Sequence, residues 1–257
     1  MESMAPDWVS ETRFGKWFLS TETWYREVLS KAVADLRELA GPGAPASISR
    51  MMDVGCGQGL AFALLQQHFA AREIVAVDVD PRMLALARAA AQRSNVPVDV
   101  HACSVTKLDL PDESVDGVLC HQLIHHVANQ QGALRELHRV LKPGGYLFLS
   151  ESCEAFIRTW TVRWFFRHPQ GVQRPAEGYM KLVREAGFVF DEARDVRIST
   201  PWWSLWDFGF TRKIGLVRAP PEATELLLVA RKGSGAVRGG AGEGFPGLRT
   251  VRAQFVR

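Results

Sequence analysis

The feature that most constrains this chain is a regular alternation between residues 49 and 150. Short apolar, β-branched stretches (49–54, 73–79, 98–103, 115–120 and 146–150) alternate with segments of helical spacing (60–69, 81–93 and 133–141). The crossovers are short. Strands and helices in this order form a parallel sheet covered by helices on both faces. Pro81 stands at the first turn of its helix, where a missing N–H costs nothing, and Asp80 before it is a natural cap. LKPGG at 141–145 reads as a turn.

Outside this block the pattern changes. Residues 22–40 carry Trp24, Val28, Leu29, Ala32, Val33, Leu36 and Leu39 at helical spacing, and GPGAPAS at 41–47 ends that helix. Residues 155–175 mix Trp160, Trp164, Phe165 and Phe166 with arginines. A helix over 176–186 closes at Gly187, and strands over 188–198 and 225–231 flank an aromatic-rich connection at 200–221. Residues 233–257 hold seven of the 22 glycines and no period, so a disordered tail is expected there. The organisation reads as a single domain over 1–232, with a helical cap at 1–48, a core at 49–151 and a further layer at 152–232.

Composition excludes several classes. An apolar content of 47% with 23% charged residues is globular. No apolar run reaches the ~18 residues of a bilayer span, and the first residues lack the apolar core of a signal peptide. Cys56, Cys103, Cys120 and Cys153 show no CxxC or CxxH spacing, so no metal site is expected, and reduced thiols in a cytoplasmic protein are. The net charge of +3 resides in the tail, where four arginines face one glutamate. The neutral remainder lacks the footprint of a nucleic-acid-binding face.

The chemistry-bearing motif is Asp53-Val-Gly55-Cys-Gly57-Gln-Gly59, between a strand and a helix. Glycines there admit positive φ and let backbone approach a ligand, and the helix N-terminus offers free N–H groups. The spacing differs from the G-x-G-x-x-G dinucleotide fingerprint, which argues against a dinucleotide oxidoreductase. Asp78 ends the second strand, 19 residues after Gly59. A carboxylate at that point can accept from both hydroxyls of a ribose. A nucleoside without a pyrophosphate suits both facts.

With these residues the sequence resembles the class I S-adenosylmethionine-dependent methyltransferases, of the small-molecule type with a methyltransferase-11-like domain. The resemblance rests on MMDVGCGQGLAF (51–62), IVAVDVDPRMLALAR (74–88), LDLPDESVDGVLCHQLIHHV (108–127) and LHRVLKPGGYLFLSE (137–151). It is close over 49–151 and loose to 232. It implies an α/β fold: a Rossmann-like, doubly wound, seven-stranded, mostly parallel sheet with a C-terminal antiparallel strand, N-terminal helices and an aromatic-rich lid. S-adenosyl-L-methionine is the implied cofactor and S-adenosyl-L-homocysteine the product.

By that resemblance Gly55, Cys56, Gly57 and Gly59 wrap the methionine portion, and Asp53 holds the loop and reaches the amino group. Asp78 binds the ribose hydroxyls and Val79 packs beside the adenine. Ser104, followed by Val105, stands where the family commonly has an acid for the adenine amino group, so a hydroxyl or the backbone must serve there. His121 falls where the methionine end and the acceptor meet.

Methyl transfer from a sulfonium is an in-line displacement, and the protein aligns the acceptor and excludes water. A general base is needed only where the acceptor starts protonated. The candidates are His121, His125 and His126. His125 and His126 are adjacent and point roughly 100° apart on a helical turn, so at most one is expected to face the site. Glu151, at the end of the fifth strand, is a further candidate pocket residue.

The eight tryptophans (Trp8, Trp17, Trp24, Trp160, Trp164, Trp202, Trp203 and Trp206) lie outside the central motifs. They suggest a lid over a small, apolar or aromatic acceptor, methylated at O, N or C. Arg158, Arg163 and Arg167 among aromatics allow contact with an anionic membrane surface or an acidic group. A non-catalytic nucleoside-binding regulatory or scaffolding protein is the alternative. CHQLIHHV stands where a nucleic-acid methyltransferase would carry a proline-aromatic-aromatic motif, so no nucleic-acid partner is expected.

Overall fold

A computed structural model describes residues 12–169, 171–205 and 222–233. Its sheet contains β1 (Arg50–Val54), β2 (Glu73–Asp78), β3 (Val98–Ala102), β4 (Val115–His121), β5 (Leu141–Ser152), β6 (Phe188–Val189), β7 (Val196–Ser199) and β8 (Glu225–Lys232). The spatial order is β3-β2-β1-β4-β5-β8-β6, with β7 also on β8. Strands β1 to β5 pair in parallel, and β8 runs antiparallel to β5. Order reverses between β1 and β4, so a crevice opens beyond their carboxyl ends, where open α/β sheets bind ligands.

Period-two alternation places the core. Met51, Leu119 and Phe148 point to one face, under α2 (Lys31–Leu39) and α3 (Phe62–Phe69). Met52, Val118, Leu147 and Leu149 point to the other, under α5 (Gln130–Val140) and α8 (Ala176–Glu185). Each buried Leu, Val or Phe contributes ~1.5–3 kcal/mol relative to exposure, which makes a sheet buried on both faces the dominant stabilising layer. Helix α4 (Pro81–Ala91) begins as expected: Asp80 Oδ1 accepts from the Arg82 N–H at 2.9 Å, and Pro81 follows the cap.

Three expectations change in detail. The strand over 188–198 is broken into β6 and β7 by the turn α9 (Glu192–Asp195), because Asp191 caps the N–H groups of Ala193 and Arg194. Both pieces pair with β8 at successive positions, so they fill one sheet position. LKPGG is a bulge inside β5: Leu141 pairs with Val115 and Tyr146 with Gly117, and the intervening residues loop out at Gly144, φ 78°. The 22–40 helix starts with a π-helical segment, Trp24–Ser30, that runs into α2. π-Segments cluster at functional sites, and this one brings Trp24 to the crevice.

Two short helices follow β5, α6 (Glu154–Ile157) and α7 (Trp160–Phe165). Helix α1 (Arg13–Phe18) precedes the π-segment. Phe14 meets Phe165 at 4.7 Å and Phe166 at 6.0 Å between ring centroids, and Phe18 meets Phe166 at 5.8 Å. The first helix therefore packs on the segment after β5. No helix among the described residues is long and apolar enough to cross a membrane. The tail expected to be disordered, apart from Gly233, lies outside the described residues, as do Trp8, Trp206 and most of the aromatic connection.

Candidate active site

The carboxyl ends of β1 and β4 open into a cavity of about 440 Å³. One side is the loop after β1. Gly55, Gly57 and Gly59 all have positive φ (73°, 52° and 77°). At Gly57 a Cβ would meet nothing within 4 Å, so the backbone there faces open space. At Gly59 a Cβ would fall 2.5 Å from the Phe62 ring, which explains that glycine by packing and keeps it out of the lining. The loop is pinned to β2: the N–H groups of Gly55 and Cys56 donate to the Val77 carbonyl at 2.8 and 3.0 Å.

Asp78 completes the pinning. Its Oδ2 accepts from the Gly57 N–H at 2.9 Å, and its Oδ1 accepts from Val79 and Asp80 at 2.7 and 2.9 Å. Burial raises its pKa despite these bonds. Asp53 is 4% exposed, and its Oδ2 has no hydrogen-bond partner. Desolvation, then the nearby Asp78 charge, pushes its pKa up to about 7. A buried carboxylate oxygen without a donor beside a cavity is a place where a bound cationic group would be stabilised.

The opposite side is apolar. Phe14, Phe18, Trp24, Phe156, Phe165 and Trp203 line it, drawn from α1, the π-segment, α6, α7 and the turn after β7. The aromatic cover expected from the tryptophan distribution is thus present, with phenylalanines as its larger part. Trp160 and Trp164 instead are 59% and 79% exposed.

Between the two sides stand histidines. His121 lines the cavity with its Nε2 buried and unpartnered, edge-on to Trp24 at 5.8 Å between centroids. Burial first, then His125, lowers its pKa to about 3, so the ring is neutral. The next residue, Gln122, has φ 53°, a left-handed conformation rare outside glycine and common at functional sites. His125 is buried, and its Nδ1 lies 2.6 Å from Glu151 Oε2. Glu151, fully buried, also accepts from the backbone N–H groups of Leu123, Ile124 and His125 at 3.1, 2.7 and 3.4 Å. The carboxylate at the end of β5 therefore shapes the turn that carries His125.

The expectation that only one of His125 and His126 faces the site is corrected. Both line the cavity, because the Ile124–His126 turn is a 3-10 turn around which the cavity wraps, with the two rings 4.3 Å apart. His168, which sequence reasoning did not single out, stands beside them at 4.7 Å from His126. Its only signal in the sequence is a histidine in the aromatic-arginine run 158–170.

Of the residues expected around a nucleoside, Asp53, Gly55, Cys56, Gly57 and His121 line the cavity. Asp78, Val79, Ser104 and Val105 are not among its lining residues. Ser104 Oγ is paired with Thr106 Oγ1 at 2.8 Å and accepts from the Thr106 N–H. Val105 is buried in the core. The four cysteines are free, and Cys56, Cys120 and Cys153 are buried.

This strand order, with a glycine loop after β1 and an acid ending β2, defines a Rossmann-like fold. Residues 52–149 match the family described as methyltransferase domain. Ubiquinone biosynthesis O-methyltransferase of Xanthomonas oryzae pv. oryzae (strain PXO99A) is 37% identical over 103 residues, 40% of this chain and 42% of the relative. The match thus spans less than half the length of that relative. An S-adenosylmethionine-dependent methyltransferase from Mesorhizobium loti shares the fold at TM-score 0.57 and 21% identity, over 77% of this chain and 95% of that one. The [4+2]-cyclase SpnF does so at TM-score 0.58 and 22% identity, over 80% of each chain.

Proposed function

We propose that this chain is an S-adenosylmethionine-dependent methyltransferase that acts on an oxygen of a small, largely apolar acceptor. The observation that carries the reading is the orphaned, buried Oδ2 of Asp53 beside the open face of Gly57, in a cavity whose far side is aromatic. The O-methyltransferase names among the relatives support oxygen as the acceptor atom.

These residues fit the cofactor. When bound, it supplies an activated methyl group on a sulfonium, so no separate activation of the donor is required. Asp53 would take its amino group, the loop 55–57 its methionine portion, and Asp78 a ribose hydroxyl through the lone pair of Oδ2 that the Gly57 N–H leaves open. Val79 and Ser104 would serve the adenine end, with Val105 part of the core. On the other side the aromatic cover excludes water and places the acceptor for in-line attack. His121 and His125 are the polar groups for an acceptor hydroxyl. His125, with Nδ1 held by Glu151, offers its other ring nitrogen in a fixed orientation. The described residues act as one catalytic unit, with α1 and the π-segment as its cap.

The test is the thermal shift with S-adenosylhomocysteine in the wild type and in Asp78→Ala, followed by an acceptor screen from phenolic compounds outward. Ligand at ~100 times its Kd adds roughly 2.7 kcal/mol to the folded state. A shift present in the wild type and lost in the variant is expected. No shift at saturating ligand overturns cofactor binding. A shift without turnover on any acceptor moves the non-catalytic nucleoside-binding reading forward.

A further inference from the structure

The cavity holds a cluster that methyl transfer does not require. His125, His126 and His168 each offer a ring nitrogen, and the three candidate ligand atoms lie within 4.8 Å of one another. Their ring centroids are 4.3, 5.3 and 4.7 Å apart in pairs, and all three rings line the cavity. One imidazole suffices to contact an acceptor hydroxyl.

We propose that His125, His126 and His168 bind a divalent first-row cation of the zinc class, with its open coordination positions facing the cavity. Imidazole is a preferred ligand for that class, and three protein ligands with one open position is the pattern of a catalytic zinc site. Tetrahedral coordination at ~2.0–2.1 Å places nitrogens roughly 3.3 Å apart. A bound cation would draw the nitrogens in to that spacing by rotation of the His126 and His168 side chains, with His125 staying on Glu151.

Glu151 gives the cluster a second, independent mark. Metal-ligating histidines usually donate their other ring N–H to a carboxylate, which fixes the tautomer and aims the free nitrogen. His125 has that arrangement: Nδ1 is 2.6 Å from a fully buried carboxylate, so Nε2 is the nitrogen left for a ligand. The same carboxylate accepts the backbone N–H groups of residues 123–125, so the turn carrying two of the three ligands is held rigidly. His168 comes from the segment after α7, on the aromatic cover. A bound cation would therefore tie the cover to the end of β4.

Its role toward an acceptor rests on the methyl-transfer reading: an acceptor oxygen would complete the coordination and be oriented through the cation instead of through His125 directly. Cation binding itself does not depend on that reading.

The test uses the full chain, stripped with a chelator and dialysed. Zn²⁺ is titrated by calorimetry, and Co²⁺ is followed by its visible d–d absorption. One equivalent bound at micromolar or tighter Kd is expected, with a cobalt spectrum of low-coordinate nitrogen ligation. His126→Ala and His168→Ala should each weaken binding about tenfold or more, whereas His101→Ala, on the edge strand β3, should not. His125 is left intact in these variants because its loss would strand Glu151. Absence of stoichiometric binding to the wild type overturns the proposal whatever the variants do. So does affinity unchanged in the His126→Ala/His168→Ala double variant, or lost equally in His101→Ala. A chain that binds zinc in this pattern but transfers no methyl group supports the site and counts against the functional reading alone.

Discussion

Lys16 Nζ lies 2.7 Å from Asp80 Oδ2, and Asp80 Oδ1 accepts from the Arg82 N–H. One carboxylate thus caps α4 and anchors α1, which carries Phe14 and Phe18 over the cavity. The two uses separate by substitution. Lys16→Ala removes a partly exposed ion pair, worth about 0–1 kcal/mol. Asp80→Ala removes that and the cap, worth about 1 kcal/mol more. Urea denaturation should therefore rank Asp80→Ala below Lys16→Ala, while both variants speed proteolysis within residues 12–24. Equal stability losses would mean that the cap contributes nothing; unaltered proteolysis would mean that α1 is held by its aromatic contacts alone.

Asp53 makes the stability of the ligand-free protein depend on pH in an unusual direction. Its folded pKa of about 7 lies above the ordinary carboxylate value. The folded state keeps a proton that the unfolded chain releases from about pH 4 upward. Stability from this group is therefore full below about pH 4, declines as pH rises, and levels off above pH 7. The loss is on the order of 4 kcal/mol at most. Asp53→Asn cannot ionise, so its stability should change less over pH 4–8 and exceed the wild type at pH 8, while its affinity for S-adenosylhomocysteine falls. Parallel pH profiles for the two proteins would remove the account.

Gly57 separates folding from binding. A Cβ there meets no neighbour, yet φ 52° strains any L residue. Gly57→Ala should cost about 1–2 kcal/mol of stability and project a methyl into the space where the cofactor backbone would lie. S-adenosylhomocysteine affinity should drop, but by less than in Asp78→Ala, since Asp78 both pins this loop through the Gly57 N–H and is proposed to take the ribose. A variant with native affinity would place the ligand elsewhere.

Local signals were the legible ones. The glycine loop, Asp78, Asp80 as a cap and Pro81 each depend on neighbours within a few residues, and strand and helix periods placed β1 to β5 and α3 to α5 to within a few residues. What the sequence hid was long-range or depended on competing local bonds. Asp191 interrupts a strand because its side chain outcompetes the ladder for two N–H groups. Glu151 read as a pocket residue, but its four hydrogen bonds come from residues 26 to 28 positions earlier. His168 joins His125 and His126 only because the chain after α7 folds back over the crevice.

Glu151 gives the sharpest test of how the site is built. Its carboxylate accepts from His125 Nδ1 and three backbone N–H groups with no exposure to water. In Glu151→Gln one of the two acceptor oxygens becomes an NH₂ group and faces donors. At least one buried donor is then unsatisfied, at a cost of about 1–3 kcal/mol. Glu151→Ala strands all four and should cost more. If the carboxylate also aims His125, methyl transfer in Glu151→Gln should fall mainly in kcat, with S-adenosylhomocysteine affinity near that of the wild type, because the glycine loop is untouched. The His125 imidazole resonances should shift in the same variant by NMR. A stability loss with unchanged kcat and unchanged resonances would assign Glu151 to the backbone turn alone.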